Sequence, residues 1–204
     1  TAMKKLTAAE LAGQGNVIGD PIRVSNSSEV QWDDEADVVV VGYGAAGGAA
    51  ALEAHELGVE VLILDRFEGG GSSANSGGVI YAGGGTRSQK EAGVEDTPEN
   101  MFNYLVQECG DAVTPETLKR FCDESSENLE FLVRHGVGFE GSLYSGKTNY
   151  PPEDKYLYYA GNEKVPTFAE KAKPAARGHR VKGKGWAGYM LGDALKAAAK
   201  AHGG

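Results

Sequence analysis

The chain has 204 residues, of which 30 are glycine, and its 20 Lys and Arg residues are outnumbered by 29 Asp and Glu residues. Average usage would give about 14 glycines. No G-X-Y period runs through the sequence and 41% of the residues are hydrophobic, which excludes collagen and a disordered linker. The net charge of −9 argues against a nucleic-acid-binding protein.

Residues 1–36 predict a leader arm that lies on the protein surface, in which Thr7 caps a short helix that ends at Gly13. Disorder is the alternative for this arm. Because the sequence holds no run of 18 apolar residues, we predict no membrane span. Two cysteines, Cys109 and Cys122, are too few for a disulfide scaffold or a zinc site. We therefore expect reduced thiols, no metal and a cytoplasmic protein.

Residues 37–64 predict a strand, a helix and a second strand. The run 37–42 is continuously β-branched without alternation, which is typical of a strand buried on both faces in a parallel sheet. Small residues fill the helix 44–57, which Gly58 ends, and the run 59–64 forms the second strand. The spacing is that of a βαβ unit.

The turn between the first strand and the helix has the pattern Gly42-x-Gly44-x-x-Gly47. Gly42 permits the tight turn, Gly44 allows the backbone to approach a pyrophosphate, and Gly47 allows the helix to pack closely. Asp65, at the end of the second strand, can accept hydrogen bonds from a ribose. A glycine turn without a nucleotide is the alternative, and Arg66 leaves NADP open beside FAD.

Later segments add more glycine and two marked helix starts. Eight glycines lie within residues 67–86, and Thr97 and Thr114 are each followed by Pro and Glu, a helix-start signal. We divide the chain into a leader arm (1–36), a βαβ unit with glycine-rich loops and helices (37–137), an irregular Tyr- and Pro-rich segment (138–186) and a helix (187–204).

The loops after the second strand resemble the flavoprotein family of fumarate reductase, the succinate dehydrogenase flavoprotein and the 3-ketosteroid dehydrogenases. The matching motifs are Asp65-Arg66, Gly70-Gly71-Ser72-Ser73 and Ser76-Gly77-Gly78. Within the family the sequence is most similar to the 3-ketosteroid dehydrogenases of the Δ4-(5α) type. That likeness rests on Trp32-Asp33-x-Glu35-x-Asp37, Gly83-Gly84-Gly85-Thr86, Asp96-Thr97-Pro98-Glu99-Asn100-Met101, Tyr159-x-Gly161 and Ala176-Arg177-Gly178-His179.

The resemblance implies an α/β fold, a Rossmann-like FAD-binding fold with a parallel sheet and helices, as the N-terminal portion of a two-domain flavoprotein. It implies FAD as cofactor, held non-covalently because residues 70–78 contain no His. The family more often has Glu at the position of Asp65, a change that keeps the carboxylate. The expected cofactor-binding residues are Gly42, Gly44, Ala45, Ala46, Asp65, Arg66, Gly71, Ser72, Ser73, Ser76, Gly77 and Gly78.

The resemblance further implies a dehydrogenase that acts on a CH–CH bond beside a ketone, with a small apolar steroid-like substrate. Segment 138–186 would lie toward the substrate side of the flavin, with Tyr159 as the expected catalytic phenol. Arg177 and His179 could contact an anion or a carbonyl, or serve the structure alone. The alternatives are a fumarate- or enoate-type reductase and an inactive FAD-binding fragment.

The sequence stops after a helix where a further strand is expected, and two strands alone leave an open sheet edge. We therefore expect a second polypeptide or a missing C-terminal portion to complete the fold, and the resemblance implies that this portion supplies further catalytic residues.

Overall fold

A computed structural model describes residues 23–201 of the chain. The described residues fall into two units, 23–35 and 36–201. In the first, a 3₁₀ turn spans Ser27–Glu29, and the Asn26 side chain accepts a hydrogen bond from the Ser28 N–H at its start. The helix expected after Thr7 lies outside the described residues. Within residues 23–201, no helix is long and apolar enough to cross a membrane.

Between residues 36 and 201 the structure describes six strands and seven helices. In chain order they are β1 (Val38–Val41), α1 (Ala45–Glu56), β2 (Val61–Leu64), α2 (Gly71–Ala74), β3 (Val79–Tyr81), α3 (Arg87–Glu91), α4 (Pro98–Cys109), α5 (Pro115–Arg134), β4 (Leu143–Lys147), β5 (Leu157–Tyr159), α6 (Pro166–Ala169), β6 (Gly178–Arg180) and α7 (Gly188–Ala201). The strands form a parallel pair, β1–β2, and a four-stranded sheet in the order β3–β6–β5–β4.

The βαβ unit is present as the sequence predicts, with β1 and β2 parallel and paired from Val38 with Val61 to Val41 with Leu64. The expectation that β1 is buried on both faces is wrong. Val39 is 51% exposed and Val41 is 83% exposed, whereas Val38 and Val40 are half-buried and Val40 lies on the face that packs against Gly47 of α1. The β-branched run thus presents an apolar surface.

Both helix starts marked by Thr-Pro-Glu are confirmed. The Thr97 hydroxyl accepts a hydrogen bond from the Asn100 N–H at 3.0 Å, and the Thr114 hydroxyl accepts one from the Thr117 N–H at 3.3 Å. These bonds satisfy N–H groups that the first turn of a helix leaves unpaired. Helices α4 and α5 then pack together around an apolar cluster of Met101, Tyr104, Leu105, Leu118, Cys122 and Ala172.

Segment 138–186 is more regular than the sequence predicts, since it supplies β4, β5 and β6 to the four-stranded sheet. Strand β6 lies between β3 and β5 and is antiparallel to both, whereas β4 and β5 are parallel. These strands have three to five residues and pair across the sequence, so no local period marks them. Strand β3 follows the glycine-rich loop directly, and this sheet therefore fixes the loop's exit.

A buried ion pair joins Arg177, the residue before β6, to Asp96, which accepts a hydrogen bond from the glycine loop at residues 83–85. Arg177 donates to both carboxylate oxygens of Asp96 at 2.8 Å, and the two side chains are almost inaccessible to solvent. Burial opposes ionisation, but hydrogen bonds from Arg177, Asn100 and the Gly84 N–H hold the pKa of Asp96 below its usual range. The pair gives Arg177 a structural role, one of the two readings that the sequence leaves open.

We predict that Arg177→Met lowers the free energy of unfolding by about 3–5 kcal/mol, because the buried Asp96 carboxylate then loses its counter-ion. The matched control is Arg134→Met, which removes an ion pair with Glu127 at the surface and is expected to cost less than about 1 kcal/mol. Urea unfolding of both variants measures the difference. Equal losses would contradict a special role for the buried pair.

Candidate cofactor site

The turn after β1 is set by Gly42 and its neighbours. Gly42 has a φ of +98°, a conformation that favours glycine, and its N–H donates to the Leu64 carbonyl at 2.7 Å. Gly44 is the N-cap residue of α1 and offers no side chain to its first turn. A Cβ built on Gly44 would meet only the Ser73 hydroxyl, at 3.9 Å, so the space before the helix is open.

The helix approaches this turn as closely as a bare backbone allows. A Cβ on Gly47 would lie 1.9 Å from the Gly42 carbonyl oxygen and 3.2 Å from a methyl group of Val40. The close packing that the motif predicts for Gly47 is therefore present. It holds the start of α1, with Ala45 and Ala46 as its first residues, beside the end of β1.

Asp65 fastens the turn to the end of β2. Its carboxylate accepts hydrogen bonds from the N–H groups of Tyr43, at 2.5 Å, and Phe67, at 2.7 Å. These two bonds hold the pKa of Asp65 below its usual range, so the group stays ionised. Each oxygen has further acceptor capacity and can still receive a ribose hydroxyl. Arg66 points its guanidinium over the Phe67 ring, 4.9 Å from the centroid.

The first glycine loop is attached to the same turn. Gly70 donates its N–H to the Tyr43 carbonyl at 2.5 Å, and both Gly70 and Gly71 have positive φ. Ser73 accepts a hydrogen bond from the Ala45 N–H at 3.3 Å. Ser72 lies between them in the single turn of α2. The loop therefore reaches the first N–H of α1, where an anionic group is favoured by the unpaired N–H groups and by the helix dipole.

The second part of the loop is held by its own serine and by α7. The Ser76 hydroxyl donates to the Ser73 carbonyl at 2.7 Å and accepts from the Gly78 N–H at 3.1 Å. The Ser76 carbonyl accepts from the Gly188 N–H, and a Cβ on Gly188 would lie 2.3 Å from the Ser73 oxygen. Sequence reasoning missed Gly188, whose only signal is a glycine at a helix start.

Gly77 lies against the ring of Tyr150. A Cβ on Gly77 would be 2.7 Å from a ring carbon of Tyr150, whose hydroxyl lies 2.9 Å from the Gly77 carbonyl and 2.7 Å from the Gly185 carbonyl. Tyr150 thus braces one side of the loop, and the sequence gives no specific signal for this role. We call the whole assembly the cofactor cradle, which comprises residues 42–47, Asp65 and residues 70–78.

Tyr159 stands apart from this cradle. It lies on β5. The Lys164 amine is 3.9 Å from the centroid of its ring, and its backbone carbonyl accepts a hydrogen bond from the Thr148 N–H. Burial raises the pKa of the Tyr159 phenol. The structure brings the predicted cofactor residues together, whereas no described contact joins the predicted catalytic phenol to them.

His179 is fully buried on β6 and serves the structure. Its Nδ1 lies 3.0 Å from the Arg177 carbonyl oxygen and its Nε2 lies 2.8 Å from the Thr86 hydroxyl. Since a carbonyl only accepts, Nδ1 carries the proton and Nε2 accepts from Thr86. Burial lowers the pKa of His179 to about 4, which keeps the ring neutral.

Comparison with known proteins identifies the class of this cradle. Residues 37–198 match the family described as the FAD binding domain. The chain therefore belongs to this family of FAD-binding domains, has its α/β fold and takes FAD as its cofactor. The residues of the cradle fit FAD, because the open start of α1, the ionised Asp65 carboxylate and the glycine-rich segments 42–47 and 70–78 converge there.

Two individual relatives show which kind of protein within the family the chain is similar to. The chain is 45% identical over 191 residues to the 3-oxo-5-alpha-steroid 4-dehydrogenase of Comamonas testosteroni, covering 92% of this chain and 36% of that protein. A 3-ketosteroid-Δ4-(5α)-dehydrogenase structure from Rhodococcus jostii RHA1, in complex with 4-androstene-3,17-dione, is 41% identical with a TM-score of 0.82. The match covers 89% of this chain and 39% of the chain in that structure.

A more distant structure represents the reductase branch. The open conformation of a flavocytochrome c3 fumarate reductase is 26% identical with a TM-score of 0.59, over 82% of this chain and 25% of that one. The chain thus spans only about a third, or less, of the length of the relatives it matches. Within residues 23–201, no group of three or more His, Cys, Asp or Glu side chains could hold a metal ion.

We predict that Gly47→Ala abolishes FAD retention, because the added methyl group would collide with the Gly42 carbonyl and displace α1 from the turn. Gly48→Ala is the matched control one residue further along the helix, where a Cβ meets only side-chain atoms of Tyr43 and Leu195, at 3.3 Å or more. Flavin absorbance after gel filtration measures retention. A Gly47→Ala protein that keeps its FAD would contradict the close packing.

The buried His179 should make stability depend on pH. Its folded-state pKa of about 4 lies below the value of about 6.5 in an unfolded chain, so between these values only the unfolded chain binds the proton. The free energy of unfolding therefore falls as the pH drops from about 6.5 to about 4, by on the order of 3 kcal/mol.

Urea unfolding at pH 7 and pH 4.5 measures this loss in the wild type and in His179→Gln, whose amide oxygen can still accept from Thr86. We expect a clearly smaller loss in His179→Gln. His55→Gln, at an exposed position, is the control and should retain the wild-type dependence. The account fails if His179→Gln loses as much stability as the wild type over this pH range.

Proposed function

We propose that the protein is an FAD-dependent oxidoreductase that acts on a CH–CH bond beside a ketone, with a 3-ketosteroid as its substrate. The observation that carries this proposal is the 45% identity, over 92% of the chain, to a protein named 3-oxo-5-alpha-steroid 4-dehydrogenase. The steroid-bound relative of known structure adds support, since it shares the fold of this chain with a TM-score of 0.82.

In this proposal each part of the cradle binds a different part of FAD. The start of α1, from Gly44 to Ala46, receives the pyrophosphate, and the Asp65 carboxylate receives ribose hydroxyls. Arg66 and the loop residues Gly71, Ser72 and Ser73 border the same end, while Ser76, Gly77 and Gly78 pass along the flavin ring. Because residues 70–78 contain no His, the cofactor is held without a covalent bond. When bound, FAD supplies the hydride acceptor.

The substrate side of the proposal rests on the chemistry of segment 138–186. Tyr159 would orient the ketone or move a proton at its phenol oxygen. The two arginines of this segment are fully buried, Arg177 on Asp96 and Arg180 on carbonyl oxygens. Neither guanidinium is available to a dicarboxylate, which favours an apolar steroid over fumarate. A fumarate- or enoate-type reductase remains the second candidate because a fumarate reductase shares this fold.

We also propose that chain beyond this sequence covers the open face of the β1–β2 pair and completes the catalytic site. The exposed Val39 and Val41 side chains support this, as does the exposed Leu64, the register partner of Val41 on β2. The longer relatives have the length to provide such a cover. Without that cover, the chain would be an FAD-binding fragment with no activity of its own.

The experiment that tests the proposal adds substrates anaerobically to the FAD-loaded protein, with the portion that completes the catalytic site present, and follows the flavin absorbance. A saturated 3-ketosteroid is expected to bleach the flavin, and fumarate is expected to leave the dithionite-reduced flavin unchanged. Reoxidation by fumarate without steroid bleaching would support the second candidate. Retained FAD that responds to neither would support the inactive fragment.

Tyr159→Phe tests the proposed catalytic phenol in the same assay. We expect the steroid-dependent bleaching to slow by about 10²-fold or more, which is the usual contribution of a general acid or base, with FAD retention unchanged. Tyr144→Phe on β4 is the matched control, since it removes a phenol oxygen from the neighbouring strand. Wild-type bleaching in Tyr159→Phe would remove this residue from the site.

A further inference from the structure

Arg180 is a buried cation whose hydrogen-bond partners are all neutral. It is inaccessible to solvent, and its guanidinium donates to the Tyr150 hydroxyl at 2.9 Å and to carbonyl oxygens of Pro152, Gly183 and Gly185 at 2.9–3.1 Å. No ion pair among the described residues includes it, in contrast to the buried Arg177. A guanidinium stays charged at physiological pH, so its positive charge is hydrogen-bonded but not neutralised.

Glu153, the acidic residue that is hydrogen-bonded near Arg180, does not neutralise its charge. Glu153 is exposed and accepts a hydrogen bond from the Gly185 N–H at 3.2 Å rather than from the guanidinium. The nearby Lys182 pairs with Glu140 at the surface. The rings of Tyr150 and Tyr156 cover the guanidinium, with centroids 4.9 and 5.3 Å from its central carbon. Rings and carbonyls satisfy the donors but leave one net positive charge inside the fold.

Strand pairing places the Arg180 charge next to residues 76–78 of the cradle. Arg180 is the register partner of Val79, the first residue of β3, and Val181 donates its N–H to the Gly78 carbonyl at 2.8 Å. Tyr150 connects the two directly, because its hydroxyl accepts from Arg180 and its ring lies against Gly77. The guanidinium is thus one side chain away from the loop that the proposed function places along the flavin ring.

We propose that Arg180 provides the positive charge that stabilises the reduced, anionic flavin ring beside Gly77 and Gly78. This inference rests on the proposed function, since it takes the loop to be the flavin loop. Uptake of two electrons and one proton, which together are the hydride that the proposed reaction delivers, leaves one negative charge on the ring, and a buried cation interacts with such a charge more strongly than a surface cation does. The bound anion would complete an ion pair that the protein alone leaves open.

Arg180→Met tests the charge in the FAD-loaded protein, with the ratio of reduced to oxidised flavin measured against a reference dye at a fixed potential. We expect this ratio to fall about tenfold, the effect of removing one nearby charge at an intermediate dielectric, which is about 30 mV for a two-electron couple. Arg180→Lys keeps the charge and should stay within about threefold of the wild type. Lys182→Met, which removes an exposed charge two residues away, is the matched control and should leave the ratio unchanged.

Tyr156→Glu provides a second test in which the guanidinium remains in place. A carboxylate at this position would neutralise Arg180, so the ratio should fall as it does in Arg180→Met. An unchanged ratio in a flavin-loaded Arg180→Met protein overturns the proposal, as does an unchanged ratio in Tyr156→Glu where Arg180→Met does not fold. Both results leave steroid-dependent bleaching of the wild type intact, whereas failure of the proposed function abolishes that bleaching.

Discussion

The cofactor cradle depends on the backbone N–H and carbonyl groups of Tyr43. Its N–H is bound by the Asp65 carboxylate and its carbonyl is bound by the Gly70 N–H, so one residue joins the turn after β1 to the end of β2 and to the first glycine loop. Asp65 therefore has a structural task before any ribose reaches it. A carboxylate that already accepts two backbone hydrogen bonds is ionised and fixed in direction, which suits it to bind a further hydroxyl.

The glycine loop at residues 83–85 is likewise held by side chains that accept hydrogen bonds from its backbone N–H groups. The Gly83 N–H donates to the Ser125 hydroxyl of α5, and the Gly84 N–H donates to Asp96, which is itself held by Arg177. The surplus of glycine in the composition is thus a set of loops pinned from the interior.

Features that local sequence determines could be predicted. The Gly42-x-Gly44-x-x-Gly47 turn, the parallel strands around it and the capped starts of α4 and α5 depend on a few adjacent residues, and all are present. The four-stranded sheet could not be predicted, because its short strands pair residues as far apart as Val79 and Arg180. The brace of Tyr150 and the burial of Arg180 depend on that pairing and were missed for the same reason.

The exposed face of β1 shows the other limit of sequence reasoning. A continuous β-branched run is typical of a strand that is buried on both faces of a parallel sheet. The described residues cover only one of its faces, and Val39 and Val41 remain exposed. The described residues thus do not account for the pattern by themselves, and this chain spans only 36% of the Comamonas testosteroni relative.

The central claim is that the turn at Tyr43 and its two loops bind the dinucleotide FAD. The most direct measurement incubates the flavin-depleted protein with FAD or FMN, removes free flavin and records the visible spectrum. FMN lacks the adenosine and the second phosphate that the α1 start and Asp65 would bind, so the account predicts one FAD per chain and little FMN. Equal retention of the two flavins, or retention of neither, would contradict it.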